Sequence, residues 1–161
     1  MRLGLIASAF LLSLSSAFAQ TADQIHVRDA WVREAAAGDG ATAAYFVIEN
    51  SSSQPASLIA VNTKAAQVIE LHEMKMVMKG GPDHAAASGG MNEMMTMAKV
   101  DAINVPARGQ VELKPGGLHV MLFKVASNLP VGASTELTLR FKNGVTKTVQ
   151  AAVRSRTAAG R

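Results

Sequence analysis

The sequence predicts an all-β protein, a β-sandwich of seven to nine strands, and three observations carry that prediction. From Ile25 onward, short runs of alternating apolar and polar residues recur, each about one strand long. Turn-forming clusters separate them: Asn50-Ser51-Ser52-Ser53, Pro115-Gly116-Gly117, Pro130-Val131-Gly132 and Asn143-Gly144. No segment shows the three-to-four-residue apolar spacing of an amphipathic helix.

Taken in order, the chain opens with MRLGLIASAFLLSLSSAFA, which has a basic start at Arg2, an apolar run from Leu3 to Leu14 and the small-residue pattern Ala17-Phe18-Ala19. That pattern predicts a secretory signal peptide over residues 1–19, cleaved after Ala19. The apolar run is too short to span a bilayer about 30 Å thick, and no later segment approaches that length, so no membrane insertion is expected after cleavage. Candidate strands follow at 25–33, 42–50, 56–63, 66–76, 98–105, 110–114, 119–125, 134–141 and 146–153. The Asn143-Gly144 pair predicts a hairpin between the last two. Residues 79–95, KGGPDHAAASGGMNEMM, are too rich in glycine and alanine for a strand and predict a mobile loop. One domain over 20–153 and a disordered basic tail over 154–161 complete the expected organisation.

Composition excludes several functions. The 161 residues contain no cysteine, which removes disulfides, a lipid-anchoring thiol and any thiolate metal site, including that of a blue-copper electron carrier. The net charge of +4 owes part of its size to Arg154, Arg156 and Arg161 at the C-terminus. Beyond the signal the aromatics are Trp31, Tyr45, Phe46, Phe123 and Phe141, all inside strand-like runs, so no basic surface interleaved with stacking rings is offered to nucleic acid. No G-x-S-x-G elbow and no nucleophilic thiol point to acyl transfer, and no enzyme activity is expected.

The chemistry lies in the methionines. Residues 71–97, LHEMKMVMKGGPDHAAASGGMNEMMTM, hold seven methionines and two histidines, and His119-Val120-Met121 follows. Apart from Met1, every methionine falls between Met74 and Met121. Alternate residues of a strand share a face. His119 and Met121 therefore project together, opposite Val120 and Leu122, and Glu70, His72, Met74 and Met76 project together, opposite Ile69 and Leu71. A single methionine on a strand is ordinarily core filler. Two His-x-Met pairs in a cysteine-free chain ask for more than packing, because imidazole with neutral thioether is a soft ligand set suited to Cu(I). Thioethers need no deprotonation and cannot be lost to disulfides outside the cytoplasm.

DAWVR (29–33), AAYFVIEN (43–50), VIELHEMKM (68–76), INVPARGQVELKPGGLHVML (103–122) and ELTLRF (136–141) resemble the periplasmic copper(I) chaperone family, the PCuAC-like proteins. That family carries a histidine, a methionine downstream, about 21 residues and then His-x-Met. The resemblance implies a cupredoxin-like Greek-key β-sandwich with His72, Met97, His119 and Met121 as Cu(I) ligands. It also implies delivery of periplasmic copper for respiratory oxidase assembly, notably the copper centre of cytochrome c oxidase. This sequence departs from the pattern in the spacing from His72 to Met97, where the extra length brings His84, Met91, Met94 and Met95. Met94 and Met95 are thus alternatives to Met97 as third ligand, and Met74 is a further candidate. A methionine-rich copper-sequestering protein shares this chemistry and differs in its partner and stoichiometry.

Overall fold

The computed structural model describes residues 24–78 and 93–155. Within them are ten strands and no α-helix: β1 (Ile25–Arg33), β2 (Ala41–Asn50), β3 (Ala56–Asn62), β4 (Ala66–Met78), β5 (Glu93–Lys99), β6 (Ile103–Val105), β7 (Gly109–Leu113), β8 (Leu118–Val125), β9 (Ser134–Phe141) and β10 (Thr146–Arg154). They form one continuous sheet in the order β5-β4-β8-β2-β1-β10-β9-β3-β6, with β7 added on β2. The pairings are antiparallel apart from β1 with β10.

Side chains from strands far apart in that order meet in a single core. Leu71 of β4 and Val120 and Leu122 of β8 belong to the same buried cluster as Leu58 of β3, Ile103 of β6 and Phe141 of β9. The sheet therefore curls over on itself, as the sandwich expectation requires. Two features turn the corner. One edge of β2 is shared, with β8 pairing to Ala41–Ala44 and β7 pairing to Phe46–Asn50, so the two layers part at Tyr45. In β1 the register to β2 shifts between Arg28 and Trp31, where Asp29 takes a left-handed φ of 56°. Before that bulge β1 pairs with β2 alone; beyond it Trp31, Val32 and Arg33 also run parallel to Ala152, Val153 and Arg154. Asn50, buried to 2 % exposure, ties the β2 end down: its amide donates to the carbonyls of Gln54 and Pro106, and its carbonyl accepts from Ser52.

Three expectations are corrected. The strand expected over 98–105 is two strands, and they lie at opposite edges of the sheet: β5 pairs with β4, β6 with β3. Asp101 is exposed at the bend between them, and the division raises the count to ten. The strand expected over 66–76 runs on to Met78, and the last three residues of the loop expected over 79–95 belong to β5, which begins at Glu93. Backbone pairing of Met76 with Met95, Val77 with Met94 and Met78 with Glu93 extends the hairpin. His84 and Met91 lie outside the described residues, as does the signal segment. Arg154, expected in the tail, is instead in β10, where its guanidinium sits 5.5 Å above the Trp31 ring and its carbonyl accepts from the Glu34 N–H; residues 156–161 lie outside the described residues. The Asn143-Gly144 hairpin is present as expected, with Gly144 at φ 87°.

Val120 is fully buried in the core, one residue from His119 and one from Met121. Val120→Asp places an unpaired charge there at a cost of several kcal/mol, a large part of the roughly 5–15 kcal/mol available to a domain of this size. Circular dichroism should show the cooperative melt of the parent protein lost in this variant.

Candidate metal centre

The register of three neighbouring strands assembles the site. β4 and β8 pair with His72 directly opposite His119 and Glu70 opposite Met121. β4 and β5 pair with His72 opposite Lys99, Met74 opposite Met97 and Met76 opposite Met95. On the far side β2 pairs Ala43 with Met121. Because alternate residues share a face, all of these project to the side of the sheet away from Leu71, Val120 and Leu122. That face is partly covered: Trp31, Ala43 and Tyr45 form a small cluster with Met121 against it, the Trp31 and Tyr45 rings 4.4 Å apart.

Met74, Met97, His119 and Met121 line one pocket of about 320 Å³, together with Tyr45, Arg33 and the Pro115-Gly116 turn. His72 is not in that lining. Its ring lies behind, 5.8 Å from the His119 ring and 6.0 Å from Phe123. Both histidines are almost fully buried, whereas Met97 is about half exposed. Of the alternatives to Met97, Met95 is two residues further along the hairpin and exposed, and Met94 lies in β5 opposite Val77. Met74 is brought to the pocket directly.

The turn before β8 decides which nitrogen of His119 is available. Lys114-Pro115-Gly116-Gly117 closes with the Gly117 N–H donating to the Lys114 carbonyl at 3.0 Å, and Gly116 adopts φ 79°. Proline followed by a residue at positive φ is a type II turn, and glycine meets that demand without strain. The turn presents the Gly117 carbonyl, which accepts from the Met74 N–H at 3.2 Å and from His119 Nδ1 at 2.9 Å. A carbonyl cannot donate, so Nδ1 carries the ring proton. In the neutral ring Nε2 then holds a lone pair, and Nε2 lies 3.2 Å from Met97 Sδ, itself an acceptor only. Two electron-pair donors face each other with no proton between them.

His72 is set by the same logic in mirror image. Its Nε2 lies 2.9 Å from Glu70 Oε2, a carboxylate oxygen that only accepts, so Nε2 carries the proton and in the neutral ring the lone pair is on Nδ1. Nδ1 is buried and has no hydrogen-bond partner among the described residues. Glu70 also binds the Lys99 ammonium through its other oxygen, at 2.8 Å. A carboxylate fixing the tautomer of an imidazole is a recurrent support of metal-binding histidines. Lys99 first, and then His72, hold the Glu70 carboxyl below its ordinary value of 4.5, and Glu70 in turn raises Lys99. Burial holds the Tyr45 phenol above its usual range, so it stands protonated beside the pocket.

Among the described residues, no group of three or more His, Asp or Glu side chains is arranged to hold a metal ion. The pocket lining instead offers one imidazole and three thioethers, a donor set that hard cations avoid. Sequence reasoning placed Glu70 on the ligand face but assigned it no task, and it missed Lys99, Tyr45 and the Gly117 carbonyl. The Lys-Pro-Gly-Gly turn was the available signal for the last; Lys99 had none.

The family model described as "Putative lipoprotein LpqE-like" matches residues 25–153. The chain belongs to this LpqE-like family. "Putative lipoprotein Lxx21020" of Leifsonia xyli subsp. xyli is 35% identical to the LpqE-like chain over 133 residues, 83% of this chain and 71% of that protein. Among solved structures, the copper-bound PCuAC domain from PmoF2 is 26% identical with a TM-score of 0.62, covering 82% of this chain and 93% of that one. The Cu(I) form of DR1885 from Deinococcus radiodurans, solved in solution, is 28% identical with a TM-score of 0.57, covering 91% and 87%. The fold of the LpqE-like chain is therefore that of the PCuAC domains its sequence resembles, and the cupredoxin-like expectation holds.

The depressed value of Glu70 makes its contribution to stability complete above pH 4.5 and progressively lost as pH falls below that through the folded-state value. Glu70→Gln should melt lower than the parent at neutral pH, and the gap should close as pH falls below 4.5. Thermal melts of the two proteins across that range measure it.

Proposed function

We propose that this protein carries Cu(I) as cargo in the periplasm, held by His72, Met97, His119 and Met121, and hands it on for assembly of the copper centre of cytochrome c oxidase. The observation that carries the reading is the facing pair of His119 Nε2 and Met97 Sδ, 3.2 Å apart with no proton to share. Such a contact is relieved when a cation takes both lone pairs. A nitrogen with several thioethers selects a soft ion of low charge, which among biological metals is Cu(I). The buried unpaired Nδ1 of His72 supports a fourth ligand from that ring, and the copper-bound PCuAC structure gives the fold a precedent.

The same arrangement suits release. His72 and His119 are rigid strand residues with their tautomers set by Glu70 and Gly117, so the nitrogen ligands need no reorganisation when the ion arrives. Met97 is 49% exposed on the edge strand β5, and Met74 lines the pocket beside it. A recipient can therefore approach from the methionine side and exchange one thioether at a time while the imidazoles still hold the ion. The export signal over residues 1–19 fits a compartment where thiols would be oxidised and thioethers would not.

Titration of Cu(I) into the purified protein against a chromogenic Cu(I) chelator should give one tightly bound ion, with Zn(II) bound far more weakly. His119→Ala and Met121→Ala should each lower Cu(I) affinity by about tenfold or more while retaining a cooperative melt. Equal affinity for zinc would sink the proposal, and several equally tight Cu(I) ions would favour the sequestering protein instead.

A further inference from the structure

The methionines do not stop at the pocket. Along the β4–β5 hairpin the donor face continues in rows: His72 opposite Lys99, then Met74 opposite Met97, then Met76 opposite Met95. The second pair of facing methionines is not packing material, because Met76 is 66% and Met95 50% exposed, and together with Met97 they are three of the five large exposed apolar side chains among the described residues. Residues directly opposite on antiparallel strands have Cβ atoms about 4.5–5.5 Å apart, so two flexible thioethers there can converge on one ion. Successive rows on one face lie about 7 Å apart, two residues at roughly 3.4 Å each.

We propose that Met76 and Met95 form an outer Cu(I) site, weaker than the pocket and in exchange with it through Met74 and Met97, by which the ion enters and leaves. The proposal rests on the Cu(I) reading of the pocket and adds a second locus to it. Two thioethers without an imidazole make a weaker site than a nitrogen-containing one, and β5 is an edge strand, so the outer pair is open to solvent and to a partner. Each transfer is an exchange of neutral ligands on an ion whose oxidation state does not change. No proton or electron has to move, and the next thioether is about 7 Å away. Lys99, one row inward of Met74 and Met97 on β5, is paired with Glu70.

The test is a Cu(I) titration, without oxygen, of the full chain labelled at its methionine methyl groups and followed by nuclear magnetic resonance. The first equivalent should shift the Met97 and Met121 methyls and the second those of Met76 and Met95. In the Met76→Leu/Met95→Leu variant, which keeps the apolar bulk and removes both sulfurs, the first equivalent should bind as before. The second should stay with a competing chelator, and Cu(I) transfer from the pocket to that chelator should slow at least threefold. If the Met76 and Met95 methyls stay unmoved through two equivalents while Met97 and Met121 respond, the outer site is overturned and the pocket stands. A double variant that keeps the second equivalent and the parent transfer rate overturns it equally. If no methyl responds at all, the Cu(I) reading of the pocket falls and the outer site with it.

Discussion

The pairing of β4 with β8 is the constraint on which the site depends. Leu71 opposite Val120 and His72 opposite His119 are adjacent steps of one ladder, so burying the first pair aims the second at the other face. A slip of β4 by one residue against β8 would put His72 into the core and Leu71 into the pocket. Leu71 and Val120 are 4% and 0% exposed, and the hydrophobic gain of keeping them inside is what holds the donor set in register. The metal chemistry thus needs no scaffold of its own. It occupies the reverse side of a core that has to form in any case.

A second layer of control is polar. The imidazoles alone do not decide where their lone pairs point; a backbone carbonyl and a carboxylate decide it for them. Gly117 and Glu70 are acceptors, and each takes the proton of one ring, leaving Nε2 of His119 and Nδ1 of His72 for a ligand. The Gly117 carbonyl is presented by a turn that needs a positive φ at Gly116, so the chemistry of the site reaches back to the glycine. The Met74 N–H also binds that carbonyl, which ties the strand carrying His72 to the turn carrying the orientation of His119.

Where sequence and structure part, the residues say why. Over 98–105 the apolar positions are Ala98, Val100 and Ala102 and then Ile103 and Val105, so the alternation changes phase between 102 and 103. That slip is the break between β5 and β6, and it was legible. What was not legible is that the halves lie at opposite edges of the sheet, because both runs are compatible with any neighbour. The glycine-rich composition of 79–95 hid the strand at its C-terminal end, since Glu93 and Met94 have weak strand preference and are held by pairing with β4. Asp29 at a positive φ in the middle of an apolar run carries no local signal of the bulge it makes.

By itself the sequence determined the fold class, most strand positions, the face on which each histidine and methionine lies, and the softness of the donor set. These are local properties: alternation, turn residues and side-chain chemistry are written in neighbouring positions. Only the tertiary structure decided that Met74 joins Met97, His119 and Met121 in one pocket while His72 stands behind it. It alone revealed that Glu70 and Lys99 support the site, and that the methionine rows run outward along the hairpin. Those facts depend on register between strands and on which strands are neighbours, and pairing between distant segments is set by burial of the whole core, which no short stretch of sequence records.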